Sequence, residues 1–415
     1  MSAIRLCGLH SLNGEITIQG SKNAVLPVMA ASLLHKGTTV ITNVPEIKDV
    51  FCMKGILEYL GCRISLENHT LVIDTRDLAS VRIPDLQVKQ MRSSIMLLGP
   101  LLGRLGEAVT CHPGGCSIGM RPVDLHLSAL RRLGGEIRVE GERITASAMR
   151  LKGTDIRLGY PSVGATENAL MAAVAAEGIT RIYGAAREPE IMELCRFLIQ
   201  MGADVSGAGT DVLMIRGGKK LHDVVFHVAG DRIVAGTYLG AVLAARGTVF
   251  LREAPVPHLE QMLLKTRKMG ARIEVQPDGI LAVMDRRPVP VKIKTAPHPG
   301  FPTDLQSVML AAAAVADGNS VIEETVFEGR FATAGELKKM GADIVIRDKT
   351  AQITGVRQLT GTITAAADLR GGAALVVAGL AAEGETVITG YGHIRRGYED
   401  ICRDLAGAGI VITNV

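Results

Sequence analysis

The chain has 415 residues, which favours two domains over one compact core. Apolar residues make up 47% of it and charged residues 21%, a balance that excludes an intrinsically disordered protein. The net charge of +4 is mild, aromatic residues reach only 3% and Trp is absent, so a nucleic-acid surface built on base stacking is not expected.

The cysteines and the amino terminus indicate the compartment. The seven cysteines are odd in number and show no spacing of a zinc site or a disulfide framework. Residues 1–12 lack the pattern of a signal peptide, and no apolar run reaches the ~18 residues that span a bilayer. We therefore expect a cytoplasmic protein without a metal or cofactor, and without a nucleic-acid or membrane partner.

The first 74 residues predict a β-α-β-α-β-β unit. Ala3–Cys7 is expected as a strand that precedes this unit. The elements of the unit are strands at 14–19, 38–42, 63–66 and 70–74, and helices at 23–34 and about 47–60. Strands that alternate with helices of this length imply right-handed parallel crossovers, so the fold class is α/β.

A short phrase recurs along the chain where the second helix of each unit ends. Its first copy is Leu60-Gly61-Cys62-Arg63-Ile64. Its glycines are 61, 134, 202, 270, 341 and, in a weaker sixth copy, 407, separated by 73, 68, 68, 71 and 66 residues. Six copies of one unit account for the length, with each glycine capping a helix before a strand.

The two chain ends do not fit this pattern. The sixth copy stops at residues 410–415 after one closing strand, whereas Ala3–Cys7 has no unit of its own. We predict that these two strands pair. The chain then crosses between domains near Gly20 and near Ala229, which defines one domain at 21–229 and a second at 1–20 plus 230–415.

Charged residues occupy equivalent places in the repeats. The first set lies where the first strand meets the first helix: Lys22-Asn23, Arg92-Ser93, Ser162-Val163-Gly164, Asp231-Arg232, Thr303-Asp304 and Asp368-Leu369-Arg370. The second set lies between the second strand and the second helix: Lys48, Cys116 with Arg121, Arg187, Arg330 and Arg396. Any one of these cations alone is best explained as a solvated loop charge. Together, at helix starts, they suit phosphate or carboxylate.

One loop places a thiol where a core cysteine would not lie. Cys116 follows Pro113 and two glycines, and His112 and Arg121 are near enough in sequence to influence its ionisation. The pattern is typical of an acid or nucleophile on a mobile loop, although a free cysteine in a surface turn is the simpler reading of the segment alone. The second unit is also the longest, and its excess falls at 111–123, either a lid or a tolerated insertion.

These motifs together resemble the enolpyruvyl transferases of peptidoglycan synthesis over the full length of the chain. The matching segments are Gly20-Ser21-Lys22-Asn23-Ala24, Met91-Arg92-Ser93-Ser94, Pro113-Gly114-Gly115-Cys116-Ser117-Ile118-Gly119, Arg121-Pro122-Val123-Asp124-Leu125, Ser162-Val163-Gly164-Ala165-Thr166, Ala186-Arg187-Glu188-Pro189-Glu190, Phe301-Pro302-Thr303-Asp304, Glu324-Thr325-Val326-Phe327-Glu328 and Arg396-Gly397-Tyr398-Glu399. The resemblance implies an inside-out α/β barrel fold of two similar domains, each with three β-α-β-α-β-β repeats, and an active site in the cleft between the domains.

The resemblance also implies a reaction. The enolpyruvyl group of phosphoenolpyruvate passes to the 3′-hydroxyl of UDP-N-acetylglucosamine by addition and elimination, and phosphate leaves. Such a step needs a proton for the methylene carbon, a base near the hydroxyl, and cations around the carboxylate and phosphate. By resemblance, Cys116 is the proton donor and can add covalently to phosphoenolpyruvate, and Asp304 is the candidate base.

The remaining site residues are carried over in the same way. Catalytic roles are expected for Cys116, Asp304, Lys22 and Arg396. Phosphoenolpyruvate is expected at Lys22, Asn23, Arg121, Arg370 and Arg396. UDP-N-acetylglucosamine is expected at Arg92, Arg121, Pro122, Val123, Asp124, Leu125, Ser162, Val163, Gly164, Asp304 and Val326. Asp368 and Arg330 are also placed in the site, where each either contacts substrate or serves mainly to orient its neighbours. The expected partners are these two small-molecule substrates, and inhibition by a downstream product stays open.

Two other functions agree with part of the sequence pattern. The sister enolpyruvyl transferase of the shikimate pathway has the same fold and donor, but it takes a different phosphorylated acceptor and lacks the Gly-Gly-Cys loop. A repeat scaffold without this chemistry, as a binding module or an RNA-end-processing relative, is compatible with the repeats alone. The conjunction of Cys116, Arg121 and Asp304 favours the transferase, and a nucleic-acid binder should be more basic.

Overall fold

The computed structural model describes residues 2–113, 119 and 122–415. The chain divides into two compact units. The described residues of 20–115 and 121–229 form one, here called the central unit, and those of 1–19 and 230–415, with Gly119, form the other, the terminal unit. The domains predicted from the sequence remain a proposal, since compactness does not show that either part folds by itself.

Two strands open the chain and belong to the terminal unit, and the elements of the central unit follow. The opening strands are β1 (Ala3–Cys7) and β2 (Leu12–Thr17). The central unit contains α1 (Lys22–Ala31), β3 (Thr38–Thr42), α2 (Lys48–Tyr59), β4 (Arg63–Glu67), β5 (Thr70–Asp74), α3 (Asp85–Gln90), α4 (Leu98–Leu105), β6 (Glu107–Cys111), α5 (Asp124–Arg132), β7 (Glu136–Glu140), β8 (Arg143–Ser147), β9 (Asp155–Arg157), α6 (Val163–Ala175), β10 (Ile179–Tyr183), α7 (Pro189–Gln200), β11 (Asp204–Ser206), β12 (Val212–Arg216) and β13 (Val224–His227), with 3-10 helices at Ser32–Leu34 and Arg92–Leu97.

The rest of the chain returns to the terminal unit. Its elements are α8 (Arg232–Ala245), β14 (Gly247–Arg252), α9 (Glu260–Lys268), β15 (Arg272–Gln276), β16 (Gly279–Met284), β17 (Lys292–Lys294), α10 (Gln306–Ala313), β18 (Asn319–Glu323), α11 (Thr333–Lys339), β19 (Asp343–Arg347), β20 (Thr350–Thr354), β21 (Leu359–Thr360), β22 (Ile363–Ala365), α12 (Leu369–Leu380), β23 (Ala382–Glu383), β24 (Glu385–Thr389), α13 (Tyr391–Ile394), α14 (Ile401–Gly407) and β25 (Ile412–Asn414), with 3-10 helices at Val256–His258, Thr303–Leu305 and Arg330–Ala332. Among the described residues, no helix combines the length and apolar character needed to cross a membrane.

The predicted β-α-β-α-β-β unit is confirmed in the first repeat. Strands β3 and β5 have the predicted bounds, and the other elements differ from them by one to three residues. In the second repeat the first strand shrinks to a single parallel bridge between Arg82 and Val109, beside the sheet β6-β8-β7. The short helix α3 follows that bridge, an element that the repeat pattern did not predict.

Each repeat builds one small sheet in which the first two strands run parallel. In the sheet β13-β3-β5-β4, β13 pairs parallel with β3, which pairs antiparallel with β5. Here β13 fills the place of a first strand, whereas β2 fills the same place beside β14 in the sheet β15-β16-β14-β2. At residues 19–20 and again at 229–230, the chain therefore changes unit between a first strand and a first helix.

The predicted pairing of the two chain ends is confirmed. In the sheet β22-β24-β1-β25, β1 lies between β24 and β25 and runs antiparallel to both. Ile4 is opposite Asn414, and the N–H of Ala3 donates to the carbonyl oxygen of Val415 at 2.7 Å. An amino-terminal strand thus completes the sheet of the last repeat.

The recurring glycines end helices as predicted, with one correction. Gly61, Gly134, Gly202, Gly270 and Gly341 all have positive φ, between 91° and 108°. In the sixth copy the equivalent residue is Gly409, with φ 86°, while the predicted Gly407 is the last residue of α14. Gly409 N–H bonds to Ala406, and the next N–H bonds back to Leu405, as Gly61 bonds to Glu58 and Cys62 to Leu57. Two glycines in one short phrase made the register ambiguous.

The first helices of the repeats form the core of each unit. All twelve residues of α12 are buried, and α8 and α10, which pack against it, are buried almost throughout. In the central unit α4 packs against the buried helix α6 in the same way. Burial on all sides explains why these helices are rich in Ala, Gly, Val and Leu. Since the sheets lie outside these helices, each unit has the predicted inside-out α/β architecture.

Candidate active site

The predicted junction residues lie at helix starts, as expected. Lys22, Val163, Arg232 and Leu369 are the first residues of α1, α6, α8 and α12, while Arg92 and Thr303 begin 3-10 helices. The residue before each of the four α-helices is an N-cap whose side chain accepts backbone N–H groups: Ser21, Ser162, Asp231 and Asp368. The cap role of Asp368 fits its expected function of orienting a neighbour, because its carboxylate accepts the N–H of Arg370 at 2.9 Å.

In the central unit, Lys22 forms a buried ion pair. Its Nζ lies 3.0 Å from Oδ2 of Asp49 in the first turn of α2, and both side chains are mostly shielded from water. Asn23 follows at the second position of α1 and is half-buried. The Asp49 carboxylate holds the ammonium group at the start of α1, where the helix dipole also favours an anion.

Residues 122 and 123 lead directly into α5. Val123 precedes the helix and is buried, Asp124 opens it, and Pro122 and Asp124 are exposed while Leu125 is half-buried. Cys116 and Arg121, the central residues of the predicted lid, lie outside the described residues. Their expected roles remain predictions.

His126 in α5 lies near two predicted positions of the central unit, Arg92 and Gly164. Burial, followed by the positive charge of Arg92, lowers the pKa of His126 to about 4, so the ring is neutral at pH 7. The side-chain oxygen of Asn168 accepts a hydrogen bond from Gly99 N–H at 2.6 Å. The other end of this side chain is therefore its NH₂ group, which donates to His126 Nδ1 at 3.2 Å. The imidazole therefore carries its proton on Nε2. A Cβ at Gly164 would lie 2.9 Å from His126 Cε1, so the start of α6 needs glycine there.

In the terminal unit, Asp304 meets two arginines. Arg370 donates to Oδ2 through Nε at 3.1 Å and through Nη2 at 2.8 Å, and Arg330 Nη2 donates to Oδ1. The arginine side chains are 6% and 4% exposed, whereas Asp304 is 25% exposed. Two buried guanidinium groups thus converge on one carboxylate that reaches solvent. This is an arrangement suited to anions.

The charge of Arg370 is maintained despite its burial. Burial works to lower the pKa of Arg370, but the charges of Asp304, Tyr398 and Asp231 and the hydrogen bonding to Asp304 together outweigh it, so the pKa is held above its ordinary value. Tyr398, which is buried and lies 2.7 Å from Thr237 Oγ1, also hydrogen-bonds Arg370. Arg370 therefore remains a cation, fixed by partners on several elements.

The other predicted residues of the terminal unit lie in turns. Val326 is half-buried in the turn after β18, where its N–H donates to Glu324 Oε1 at 2.7 Å. Arg396 is half-buried just after α13, and its N–H donates to the carbonyl of His393 at 3.3 Å. The structure thus brings Asp304, Arg330 and Arg370 together within the terminal unit, and Lys22 with Asp49 and Arg92 with His126 within the central unit.

Sequence reasoning missed the side chains that orient these residues. They are Asp49, His126, Asn168, Glu324 and Tyr398. Glu324 and Tyr398 lie inside matched motifs without having been given a role, and His126 directly follows the motif that ends at Leu125. A polar residue at a position that the helical pattern marks as buried was a usable signal for Asn168 and Asp49.

Comparison with known proteins identifies the class. Residues 7–405 match the family model described as EPSP synthase (3-phosphoshikimate 1-carboxyvinyltransferase). The chain therefore belongs to this family of enolpyruvyl transferases and is an enzyme of the transferase class.

Similar proteins within that class are named for one acceptor. UDP-N-acetylglucosamine 1-carboxyvinyltransferase 2 of Caldanaerobacter subterraneus subsp. tengcongensis is 45% identical over 416 residues, which is 100% of each chain. UDP-N-acetylglucosamine 1-carboxyvinyltransferase of Cellvibrio japonicus is 46% identical over 404 residues, 97% of this chain and 96% of the relative.

Solved structures agree with the fold. The enolpyruvyl transferase NikO from Streptomyces tendae superposes with a TM-score of 0.90 at 25% identity and covers 100% of this chain and 99% of its own. An EPSP synthase from Acinetobacter baumannii has a TM-score of 0.77 at 20% identity, with 100% of both chains covered. The second similarity concerns the fold alone.

Proposed function

We propose that this enzyme transfers the enolpyruvyl group of phosphoenolpyruvate to the 3′-hydroxyl of UDP-N-acetylglucosamine and releases phosphate. The reaction is the first committed step of peptidoglycan synthesis. The observation that carries the proposal is the identity of 45% over the whole chain with a relative named for this acceptor. We place the enzyme in the cytoplasm, where both small-molecule substrates are available.

The chemistry requires charge at several atoms. In the addition, the sugar oxygen bonds to C2 of phosphoenolpyruvate while the methylene carbon gains a proton and the hydroxyl loses one. In the elimination, the methyl group loses a proton, the bond from C2 to the phosphate oxygen breaks, and phosphate departs with the electron pair. Cations near the carboxylate and phosphate stabilise both steps, and buried Arg370 and shielded Lys22 are suited to this work.

The substrate contacts are assigned by the motifs. Phosphoenolpyruvate is assigned to Lys22, Asn23, Arg121, Arg370 and Arg396. The nucleotide sugar is assigned to Arg92, Ser162–Gly164, Asp304, Val326 and the loop 121–125. Cys116 delivers the proton to the methylene carbon.

Asp304 can act as a base only after its surroundings change. Its carboxylate already accepts hydrogen bonds from Arg330 and Arg370, and two nearby cations favour the ionised form. Proton transfer from the sugar hydroxyl therefore occurs late in the addition, or after a guanidinium group has turned from Asp304 toward a substrate anion. A lone aspartate at its reference pKa of about 3.9 would be a weak base in either case.

The test is phosphate release from phosphoenolpyruvate, with UDP-N-acetylglucosamine and with shikimate 3-phosphate as alternative acceptors. We expect turnover with the nucleotide sugar alone, and none from a Cys116→Ala variant that still binds the nucleotide sugar. Turnover with shikimate 3-phosphate alone would reassign the enzyme to the reaction for which the family model is described. Absence of turnover with both acceptors would refute the proposal.

A further inference from the structure

We infer that Glu324 is a positioning residue that sets the orientation of Arg330 and of the turn carrying Val326. The inference rests on the proposed function, because it concerns the same site. Glu324 lies directly after β18 and is 3% exposed. It makes no assigned substrate contact, so its effect on the reaction passes through the groups that it holds.

The Glu324 carboxylate accepts three hydrogen bonds from two segments. Oε1 accepts the N–H groups of Val326 at 2.7 Å and Phe327 at 3.1 Å. Oε2 accepts the hydroxyl of Thr303 at 3.0 Å. One buried side chain therefore joins the turn that contains Val326 to the 3-10 helix that contains Asp304.

These bonds give the network a fixed direction. An ionised carboxylate can only accept, so the single hydroxyl proton of Thr303 must point to Glu324. The lone pairs of Thr303 Oγ1 then face Arg330, whose Nε donates to that oxygen at 3.3 Å. Arg330 in turn donates through Nη2 to Asp304. The guanidinium group is thus held on two sides, and Glu324 determines one of them.

The ring of Phe327 supports the same guanidinium group. The Arg330 guanidinium carbon lies 5.2 Å from the ring centroid, within the range of a cation–π contact. Because Glu324 also binds the Phe327 N–H, the carboxylate affects Arg330 by a second route. Arg330, a residue with 4% exposed side chain, has little freedom while Glu324 is in place.

The preceding residue provides a matched control. Glu323 has the same side chain at the end of the same strand, but it points outward and pairs with Lys294 Nζ at 2.8 Å. Both members of that pair are exposed, at 39% and 65%, so its contribution to stability is small. A Glu323→Gln variant should therefore retain the kcat and KM of the wild-type enzyme.

The conservative variant Glu324→Gln should lower kcat without a comparable change in KM. Its one acceptor oxygen remains with the two backbone N–H groups, and its NH₂ group then donates to Thr303. The Thr303 hydroxyl proton is then no longer fixed toward residue 324, so the Oγ1 lone pair that accepts from Arg330 Nε loses its fixed direction and that hydrogen bond weakens. We expect kcat to fall by about tenfold to 100-fold, the scale of a small misplacement in an active site, with KM for the nucleotide sugar nearly unchanged.

Two further variants complete the test. Thr303→Val removes the same acceptor without altering the turn, so it should reproduce the loss in kcat, and Glu324→Gln should then add little to it. Glu324→Ala releases the turn as well, so it should raise KM for UDP-N-acetylglucosamine in addition to lowering kcat. Kinetics and thermal melting of all variants are compared with those of Glu323→Gln.

Two results would overturn the inference: wild-type kcat in Glu324→Gln and Thr303→Val, or fully additive losses in the double variant. Thr303→Val keeps the test decisive even where a Glu324 variant does not fold. A wild-type enzyme that releases no phosphate would instead refute the proposed function, so the two failures are distinguishable.

Discussion

Burial decides the charge of single residues in this protein. His126 is a buried residue of α5, and its ring accepts a hydrogen bond from Asn168. Its lowered pKa means that the folded protein keeps the ring neutral over a range in which an exposed histidine is charged. The sequence shows a histidine on an amphipathic helix, but not how completely water is excluded from it.

This neutrality predicts a pH dependence of stability. In the unfolded chain His126 titrates at about 6.5, and in the folded protein at about 4. Between these values the unfolded chain binds more protons, so the free energy of unfolding falls as the pH is lowered from about 6.5 to about 4. The loss attributable to His126 is of order 3 kcal/mol at the lower limit.

The measurement is urea unfolding of the wild type and His126→Gln across this pH range. The variant should be less stable at neutral pH, and the difference from the wild type should shrink on acidification. His10→Gln, at an exposed position, serves as the control and should follow the wild type. A constant difference between wild type and His126→Gln at all pH values would contradict the prediction.

Six helices, the second helix of each repeat, end with the same hydrogen-bonding motif. After each second helix, a glycine with positive φ turns the chain, and the following N–H bonds to a carbonyl one turn back in the helix. Side chains other than glycine rarely adopt this conformation. The requirement that all six share is therefore the backbone conformation, although a Cβ at Gly61 would also lie only 2.6 Å from the carbonyl oxygen of Asp77.

Alanine substitutions at Gly341 and Gly335 distinguish the effect of backbone conformation from the effect of crowding. A Cβ added at either position would meet nothing within 4 Å, but Gly341 has φ 91° whereas Gly335 lies inside α11. We expect Gly341→Ala to destabilise by about 1–2 kcal/mol because of the left-handed backbone. Gly335→Ala should stabilise by roughly 0.5–1 kcal/mol through helix propensity.

Thermal or urea unfolding of both variants gives the two changes in free energy. Each variant adds one methyl group at an open position, so crowding cannot explain a difference between them. If Gly341→Ala were as stable as the wild type, the motif would not require glycine at this helix end.

The amino-terminal segment of the chain completes two sheets of the terminal unit. Strand β1 lies inside the sheet β22-β24-β1-β25, and β2 completes the sheet with β14. Ile4, Leu6, Leu12 and Ile16 of this segment are at most 3% exposed. Burying four such side chains contributes about 6–12 kcal/mol, comparable with the total stability of a typical domain.

Two fragments of the terminal unit should therefore differ in stability. Residues 230–415 alone should not fold, since they lack both strands. Residues 230–415 followed by a linker of about four Gly/Ser residues and residues 1–19 should fold, because β25 and β1 are antiparallel neighbours. Circular dichroism during heating distinguishes the two, and a cooperative transition in residues 230–415 alone would contradict both this prediction and the proposed domain boundaries.

Much of the architecture could be predicted because it depends on local patterns. The glycine phrase, the alternation of strands and helices and the unmatched ends led to the six repeats and to the pairing of Ala3–Cys7 with the last strand. The sequence did not determine which of Gly407 and Gly409 ends the helix, or whether the short segment at Asp85–Gln90 forms the helix α3. Only the fold selects between them.

By itself the sequence determined the α/β class, the repeat number, the helix starts that carry Lys22, Arg92 and Asp304, and the family resemblance. These follow from periodicity and from residue types at fixed spacings, which are local properties. Only the tertiary structure decided which side chains orient the site: Asp49 for Lys22, His126 beside Arg92, and Glu324 for Arg330. Such contacts join residues from separate elements. Burial then determines how strongly their charges attract each other and how strong their hydrogen bonds are.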